Sequence, residues 1–184
     1  MAGYGGQRRA VAIVPALNER RSVGLVVAGL LRDAPGVDVS VVDDGSTDRT
    51  GAVAAAAGAS VLTLPYNLGV GGAMRAGFKY ALRNGYDAAA VQVDADGQHD
   101  PACVPALLAK LESADIVIGA WSAGEGDNSV RGMRKGAMRL LAATLSRAVG
   151  TPLTDVTSGF RACNAEAMTL FARHYTVVYL GDTV

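Results

Sequence analysis

Three short polar segments of this 184-residue chain gather groups that can do chemistry: Pro15-Ala-Leu-Asn-Glu19, Asp43-Asp-Gly-Ser-Thr-Asp48 and Asp94-Ala-Asp-Gly-Gln-His99. Carboxylates brought together raise one another's pKa unless a cation offsets them, so convergence of these segments would point to a divalent metal ion. Asp94 and Asp96, two residues apart, can both turn toward one cation if Ala95 lets the backbone turn away, and Gln98 adds a neutral oxygen. A single Asp needs no such explanation. Asp48 or Asp100 can be a helix cap and nothing more, and Asp44-Gly45 favours a turn.

Each acidic segment directly follows a run rich in Val and Ile. The runs are Val11–Val14, Val37–Val42, Val61–Leu64 and Ala88–Val93, with a fifth at Ile116–Ile118. Near-continuous apolar runs alternating with helical patterns are what a parallel sheet covered on both faces requires. Helix starts are legible between them: Ser46-Thr-Asp48 caps a helix to about Ala57, Asn67-Leu-Gly69 opens one to about Arg83, and Asp100-Pro101 opens one to Glu112. The predicted order is β-α-β-α-β-α-β-α-β, an α/β fold with helices on both faces of a mostly parallel central sheet. In such open sheets ligands sit beyond the carboxyl ends of the strands, which is where the acidic segments fall.

Composition bounds the rest. With 50% apolar and 18% charged residues the chain can build a sizeable core, and 184 residues without a visible linker or repeat read as one domain, 1–184. Lys plus Arg equals Asp plus Glu at 17 each, so no whole-chain field draws it to nucleic acid. Two widely spaced cysteines, Cys103 and Cys163, do not make a disulfide framework and fit a reducing cytoplasm. No run reaches the ~18–20 apolar residues of a spanning helix, and Met1–Arg9 lacks a signal peptide's apolar stretch.

Taken in order, Val11-Ala-Ile-Val-Pro-Ala-Leu-Asn-Glu19, Val41-Val-Asp-Asp-Gly-Ser-Thr-Asp48, Asn67-Leu-Gly-Val-Gly-Gly-Ala-Met-Arg-Ala-Gly77, Asp94-Ala-Asp-Gly-Gln-His99 and Thr157-Ser-Gly-Phe-Arg161 resemble the inverting nucleotide-sugar glycosyltransferases of the GT-A fold. Among these the chain is most similar to the polyprenyl-phosphate branch, the dolichol-phosphate mannose synthase-like enzymes, from about Ala10 to its end. The resemblance implies a nucleoside-diphosphate-sugar donor, GDP-mannose or UDP-glucose, bordered by Pro15, Leu17 and Glu19, with Asp44 reading the base edge. Asn67 and Arg75 would border the donor from the third loop and its helix, although Arg75 also reads as an ordinary surface charge. The segment Asp94-Ala95-Asp96 resembles the family's metal-diphosphate motif, with Asp96 and Gln98 as ligands of Mg2+ or Mn2+ and Asp94 nearer ribose or sugar.

On the acceptor side, Arg131, Arg134, Lys135, Arg139 and Arg147 interleave with Met133, Met138, Leu140, Leu141 and Leu145. Such a basic amphipathic helix fits peripheral attachment at the inner face of a membrane, or equally a helix packed on the sheet. Ser122–Ser129 is small, polar and glycine-rich, suited to a loop that closes over substrates, or simply disordered. For a polyprenyl-phosphate acceptor, Arg131 and Arg161 are the candidates to hold the phosphate, since a guanidinium fork matches its oxygens. Asp155 would orient Arg161 or cap its segment; for a sugar hydroxyl, Asp155 or Asp182 becomes the candidate base.

Three departures from the family pattern stand out: Leu17 where relatives often carry Tyr, Trp121 where they commonly place Arg, and an end at Val184 where they continue through further elements. A short form is the expectation, with exposed apolar surface favouring self-association into a homo-oligomer. Other readings are a domain that binds nucleotide-sugar without turnover, and a transferase with a soluble sugar or secondary-metabolite acceptor. An aspartyl-phosphate phosphatase reading of Asp94–Gln98 fits poorly, because that motif belongs on the first strand with Thr or Val at its fifth position. A dinucleotide reading of Gly69–Met74 fails at Met74, where Gly or Ala is needed.

Overall fold

The computed structural model describes residues 9–119 and 159–174. Strands β1 (Ala10–Ala16), β2 (Val37–Asp43), β3 (Ser60–Thr63), β4 (Ala89–Gln92), β5 (Ile116–Ile118) and β6 (Arg161–Asn164) form one sheet in the order β3-β2-β1-β4-β6-β5. β3, β2, β1 and β4 pair in parallel, whereas β6 pairs antiparallel with both β4 and β5.

Helices α1 (Val23–Asp33), α2 (Thr50–Ala56) and α4 (Val104–Lys110) cover one face, and α3 (Gly69–Arg83) with α5 (Ala165–His174) covers the other. The period-2 alternation of β1 decides which residues go where. Ala12, Val14 and Ala16 pack with Val27, Leu30, Ala54 and Val104, while Val11 and Ile13 pack with Met74, Phe78 and Met168. Both faces of β1 are therefore buried, which is why its sequence reads as an unbroken apolar run rather than an alternating one.

α3 lies unusually close to the sheet at Gly77. A Cβ there would sit 2.5 Å from Ile13 Cγ2 and 3.2 Å from Val42 Cγ2. The helix that opens at Asp100 starts as a 3-10 turn, Pro101–Cys103, before becoming α4, and Asp100 caps it by accepting from the Ala102 amide at 3.0 Å. Pro105 lies in the first turn of α4, where a missing N–H costs nothing.

Two elements differ from the sequence expectation. A sixth strand, β6, which the predicted order lacked, is inserted between β4 and β5. In the second helix, which begins at Thr50, only Asp48 of the predicted Ser46-Thr-Asp48 cap reaches the first turn, accepting from Thr50 N at 2.9 Å, while Asp43 and Asn18 take up the amides of Ser46 and Thr47 in a turn before it.

Candidate active site

The sheet changes direction beside β1: β2 and β3 lie to one side of it, β4 to the other. At such a switch point the loops leaving adjacent strands diverge and open a crevice beyond their carboxyl ends. Pro15, half-buried, ends β1 with Ala16, whose register partner is Asp43. Val93 closes the ladder on the other side by donating to Ile13 O at 3.1 Å, and Asp94 comes next. The first, second and fourth loops therefore meet at one edge, as their sequence positions imply.

The first two loops are laced together by Asn18, in the left-handed region at φ 57°. Its Oδ1 accepts from Thr47 N at 2.9 Å and Thr47 Oγ1 at 3.2 Å, and its own amide donates to Ser46 Oγ at 2.9 Å. Asn tolerates this backbone better than most residues, and its side chain substitutes for a missing strand partner. Leu17 stands beside it, 39% exposed. Glu19 is half-buried; its Oε2 accepts from Ser22 Oγ at 2.5 Å and its carbonyl takes the Ser22 and Val23 amides, starting α1.

Asp44 is only 3% exposed. Its Oδ1 accepts from Leu68 N at 2.8 Å, so the carboxylate joins the end of β2 to the start of α3. Burial pushes its pKa above the ordinary value; the Leu68 and Gly69 amides pull it down by less, and Asp43 pushes it up again. Gly45, at φ +75°, lets the chain pass under the third loop: a Cβ there would meet Tyr66 C at 2.7 Å and Asn67 N at 2.8 Å. Exposed Asn67 turns inward on its own segment, accepting from Gly69 N at 2.7 Å. Arg75 lies further along α3, half-buried, with Nε donating to Ala172 O at 3.4 Å in the last turn of α5. Arg75 thus reaches across to a second helix instead of standing as a free surface charge.

On the fourth loop Ala95 is buried and Asp96 and Gln98 are exposed. Asp96 Oδ1 accepts from Gln98 N at 2.9 Å, and Gly97 takes φ +82° to close the turn. The half-buried Asp94 carboxylate lies 3.5 Å from Gln92 Nε2. Against its other side presses Gly159, two residues before β6: a Cβ there would run into Asp94 Oδ2, with Oδ1 at 2.8 Å. Arg161, two residues on, is in register with Gln92 of β4 and Ile118 of β5. The segment Gly159-Phe-Arg161 is thereby brought against the Asp94 loop, although more than sixty residues separate them in sequence.

Among the described residues no three His, Cys, Asp or Glu side chains group as a metal site. Neither cysteine is bridged, and burial pushes the Cys163 thiol up to about 12, which removes it as a nucleophile. Arg131, Asp155, Trp121, Asp182, the Ser122–Ser129 loop and the basic Arg131–Arg147 segment lie outside the described residues. Among the described residues no helix is long and apolar enough to cross a membrane.

Sequence reasoning did not single out Asn18, His99 or Gly159. Asn18 and His99 sat in view within acidic segments but carried no signal of their own. The approach of Gly159 to Asp94 depends on a strand pairing that spacing does not reveal.

Residues 11–171 match the model of glycosyl transferase family 2. The chain is 41% identical over 168 residues to the undecaprenyl-phosphate mannosyltransferase of Micrococcus luteus, covering 87% of this chain and 68% of that protein. It is 34% identical over 169 residues to the polyprenol monophosphomannose synthase of Mycolicibacterium smegmatis, covering 88% and 63% respectively. The crystal structure of glucosyl-3-phosphoglycerate synthase from Mycobacterium tuberculosis with Mn2+, UDP-glucose and phosphoglyceric acid superposes with a TM-score of 0.67 at 28% identity, over 87% of this chain and 58% of that one. The chain thus spans only part of each relative's length.

Proposed function

The chain belongs to glycosyl transferase family 2 and carries a glycosyltransferase domain, and from that premise we propose that it moves a hexose from GDP-mannose or UDP-glucose to a polyprenyl phosphate. The observation that carries this reading is the meeting of the first, second and fourth loops with β6 at the sheet's switch point, where Gly159 abuts the Asp94 carboxylate. The names of the two bacterial mannosyl transferases support a polyprenyl-phosphate acceptor.

In this reading Pro15, Leu17 and Glu19 border the nucleoside, and the Asp44 carboxylate accepts from a base N–H. Asn67 holds the third loop against the donor, with Arg75 behind it on α3. Asp94, Ala95 and Asp96 line the diphosphate. The donor set fits a hard divalent ion: Mg2+ is commonly held by one or two carboxylates plus substrate phosphates, and Mn2+ accompanies UDP-glucose in the similar synthase. Asp94, Asp96 and Gln98 would hold it. When bound, the ion supplies charge neutralisation for the departing nucleoside diphosphate.

The transfer is one displacement with inversion. An acceptor phosphate oxygen forms its bond to the anomeric carbon while the bond to the diphosphate breaks and its electron pair leaves with the diphosphate. No dedicated base is required, since a phosphate monoester with a second pKa of about 6 is already largely dianionic near neutral pH. Arg131 and Arg161 hold that phosphate, and Asp155 orients Arg161. A second reading, transfer to a soluble acceptor hydroxyl with Asp155 as base, is favoured by the likeness to the synthase crystallised with phosphoglyceric acid.

The test is calorimetric titration of GDP, UDP, GDP-mannose and UDP-glucose, with and without Mn2+. Metal-dependent micromolar binding of one nucleotide is expected and names the donor. Absence of binding by folded protein refutes the donor site. Transfer of labelled hexose to undecaprenyl phosphate, against phosphoglycerate, then separates the two acceptor readings.

A further inference from the structure

His99 does more than follow the acidic loop. Its side chain is 10% exposed, its Nδ1 accepts from the Asp94 amide at 3.1 Å, and its ring stacks on Phe160 of the β6 segment with centroids 5.0 Å apart at 20°. An accepting Nδ1 places the neutral ring's proton on Nε2, which lies 3.7 Å from Asp94 Oδ2, too long for a hydrogen bond. The contact that His99 makes to Asp94 is therefore to the backbone.

That amide follows Val93 N, which donates to Ile13 O of β1, and its acceptor is His99. Phe160 itself is 7% exposed and is held by the next strand, its carbonyl accepting from Gly119 N at 2.8 Å. Asp94 is thus fixed from two sides: His99 ties its backbone to the ring of Phe160, and Gly159 allows the same segment to lie against its carboxylate.

We propose that His99 is a positioning residue that sets the direction of the Asp94 carboxylate, by taking the Asp94 N–H into Nδ1 while its ring is clamped on Phe160. This rests on the reading of Asp94 as part of the donor site. A His that merely filled space would be replaceable by any ring of its size; one that positions Asp94 must keep an acceptor at Nδ1. His99→Phe keeps the ring and its stack and removes the acceptor. His99→Asn removes the ring and keeps an oxygen near the Nδ1 place.

Two readouts decide the matter. In amide hydrogen exchange followed by NMR, the Asp94 amide is expected to be protected in the unaltered protein and in His99→Asn and to exchange faster in His99→Phe. In Mn2+ titrations of the GDP or UDP complex, His99→Phe is expected to weaken Mn2+-dependent binding roughly 10-fold or more, the scale for losing a group that orients a metal ligand, with metal-free nucleotide binding unmoved. His99→Asn should lie closer to the unaltered protein than to His99→Phe. Equal protection and equal Mn2+ binding in His99→Phe, or a loss in His99→Asn as large as in His99→Phe, overturns the proposal. If His99→Phe does not fold, Gly159→Ala disturbs the Asp94 carboxylate from the other side and should weaken Mn2+ binding in the same direction; unchanged binding overturns the need for a fixed Asp94. If the unaltered protein binds neither nucleotide with Mn2+, the donor-site reading fails, and the exchange experiment still decides whether His99 holds Asp94.

Discussion

Replacing Asp44 by Asn separates its two tasks. The carboxylate is 3% exposed and one oxygen accepts from Leu68 N at 2.8 Å, a bond that the Asn side-chain oxygen can also accept. The fold should therefore survive. Burial raises the Asp44 pKa by more than the Leu68 and Gly69 amides lower it, so the folded state favours the protonated form. The stability Asp44 contributes is then fully present below its ordinary pKa and is lost as pH rises through the folded value. Above that value Asp44→Asn should be at least as stable as the unaltered protein, and the difference should vanish at lower pH. Nucleotide binding should move the other way. A hydrogen bond to a charged acceptor is worth ~1.5–3 kcal/mol and a neutral one ~1 kcal/mol, so losing the charge at a base N–H should cost about 0.5–2 kcal/mol, roughly 2- to 30-fold in Kd. Thermal unfolding across pH and calorimetry with the cognate nucleotide measure the two effects. Unchanged nucleotide affinity would show that Asp44 only ties the loops, and a lower melting temperature at neutral pH would refute the claim that its burial opposes ionisation. Asp44→Ala is the contrasting control: it leaves the Leu68 amide without its acceptor, at about 1–3 kcal/mol of stability.

Asp96 is exposed and its Oδ1 is bonded only within its own turn, so Asp96→Ala should fold normally while Mn2+-dependent turnover falls by a few orders of magnitude; turnover at the original rate would remove it from the metal set. Gly77→Ala gains up to ~1 kcal/mol of helix propensity, yet its methyl would meet Ile13 at 2.5 Å. Overpacking of this kind costs about 1–3 kcal/mol, so urea unfolding should show a net loss, and a net gain would contradict the close approach of α3 to the sheet. Asn18→Ala gives up the acceptor of both Thr47 bonds and takes on a left-handed backbone that Ala resists, so stability should drop by roughly 1–2 kcal/mol, with nucleotide binding weakened because the first two loops are no longer tied. Tight binding in a destabilised variant would dissociate the lacing from the site.

The parallel half of the sheet was legible because its strands are buried on both faces and so write themselves as apolar runs, Val11–Val14 and Val37–Val42 above all. The loops after them were legible because a sheet of that type places its ligands there. β6 was not. Arg161-Ala-Cys-Asn164 has a charge at one end, an amide at the other and only Ala162 and Cys163 buried between, a pattern too short for periodicity to register. Its partner Ile116–Ile118 was legible as a strand, but its place in the sheet was not, because the strand that separates it from β4 lies more than forty residues further along the chain. The contacts within the site divide in the same way. Asp100 as a cap follows from local sequence rules, whereas Asp44 bonding to Leu68, twenty-four residues on, follows only from the fold.

In the proposed reaction the antiparallel strand gives one edge of the sheet contacts toward both substrates. A parallel neighbour of β4 would have delivered its own carboxyl end to the crevice, together with one more loop leading away. β6 runs the other way, so it enters from the crevice, and the residues that precede it are already at the site when the strand begins. Gly159 lies against Asp94 for this reason, and Arg161 follows two residues later in register with Gln92. In the proposed reaction the diphosphate end of the donor and the phosphate of the acceptor must approach a single carbon, and both are negatively charged. Arg161 begins β6 and Gly159 stands two residues before it, so the backbone pairing of β6 with β4 and β5 helps fix where both stand. The missing side chain at Gly159 is what lets the segment leading into β6 lie against Asp94.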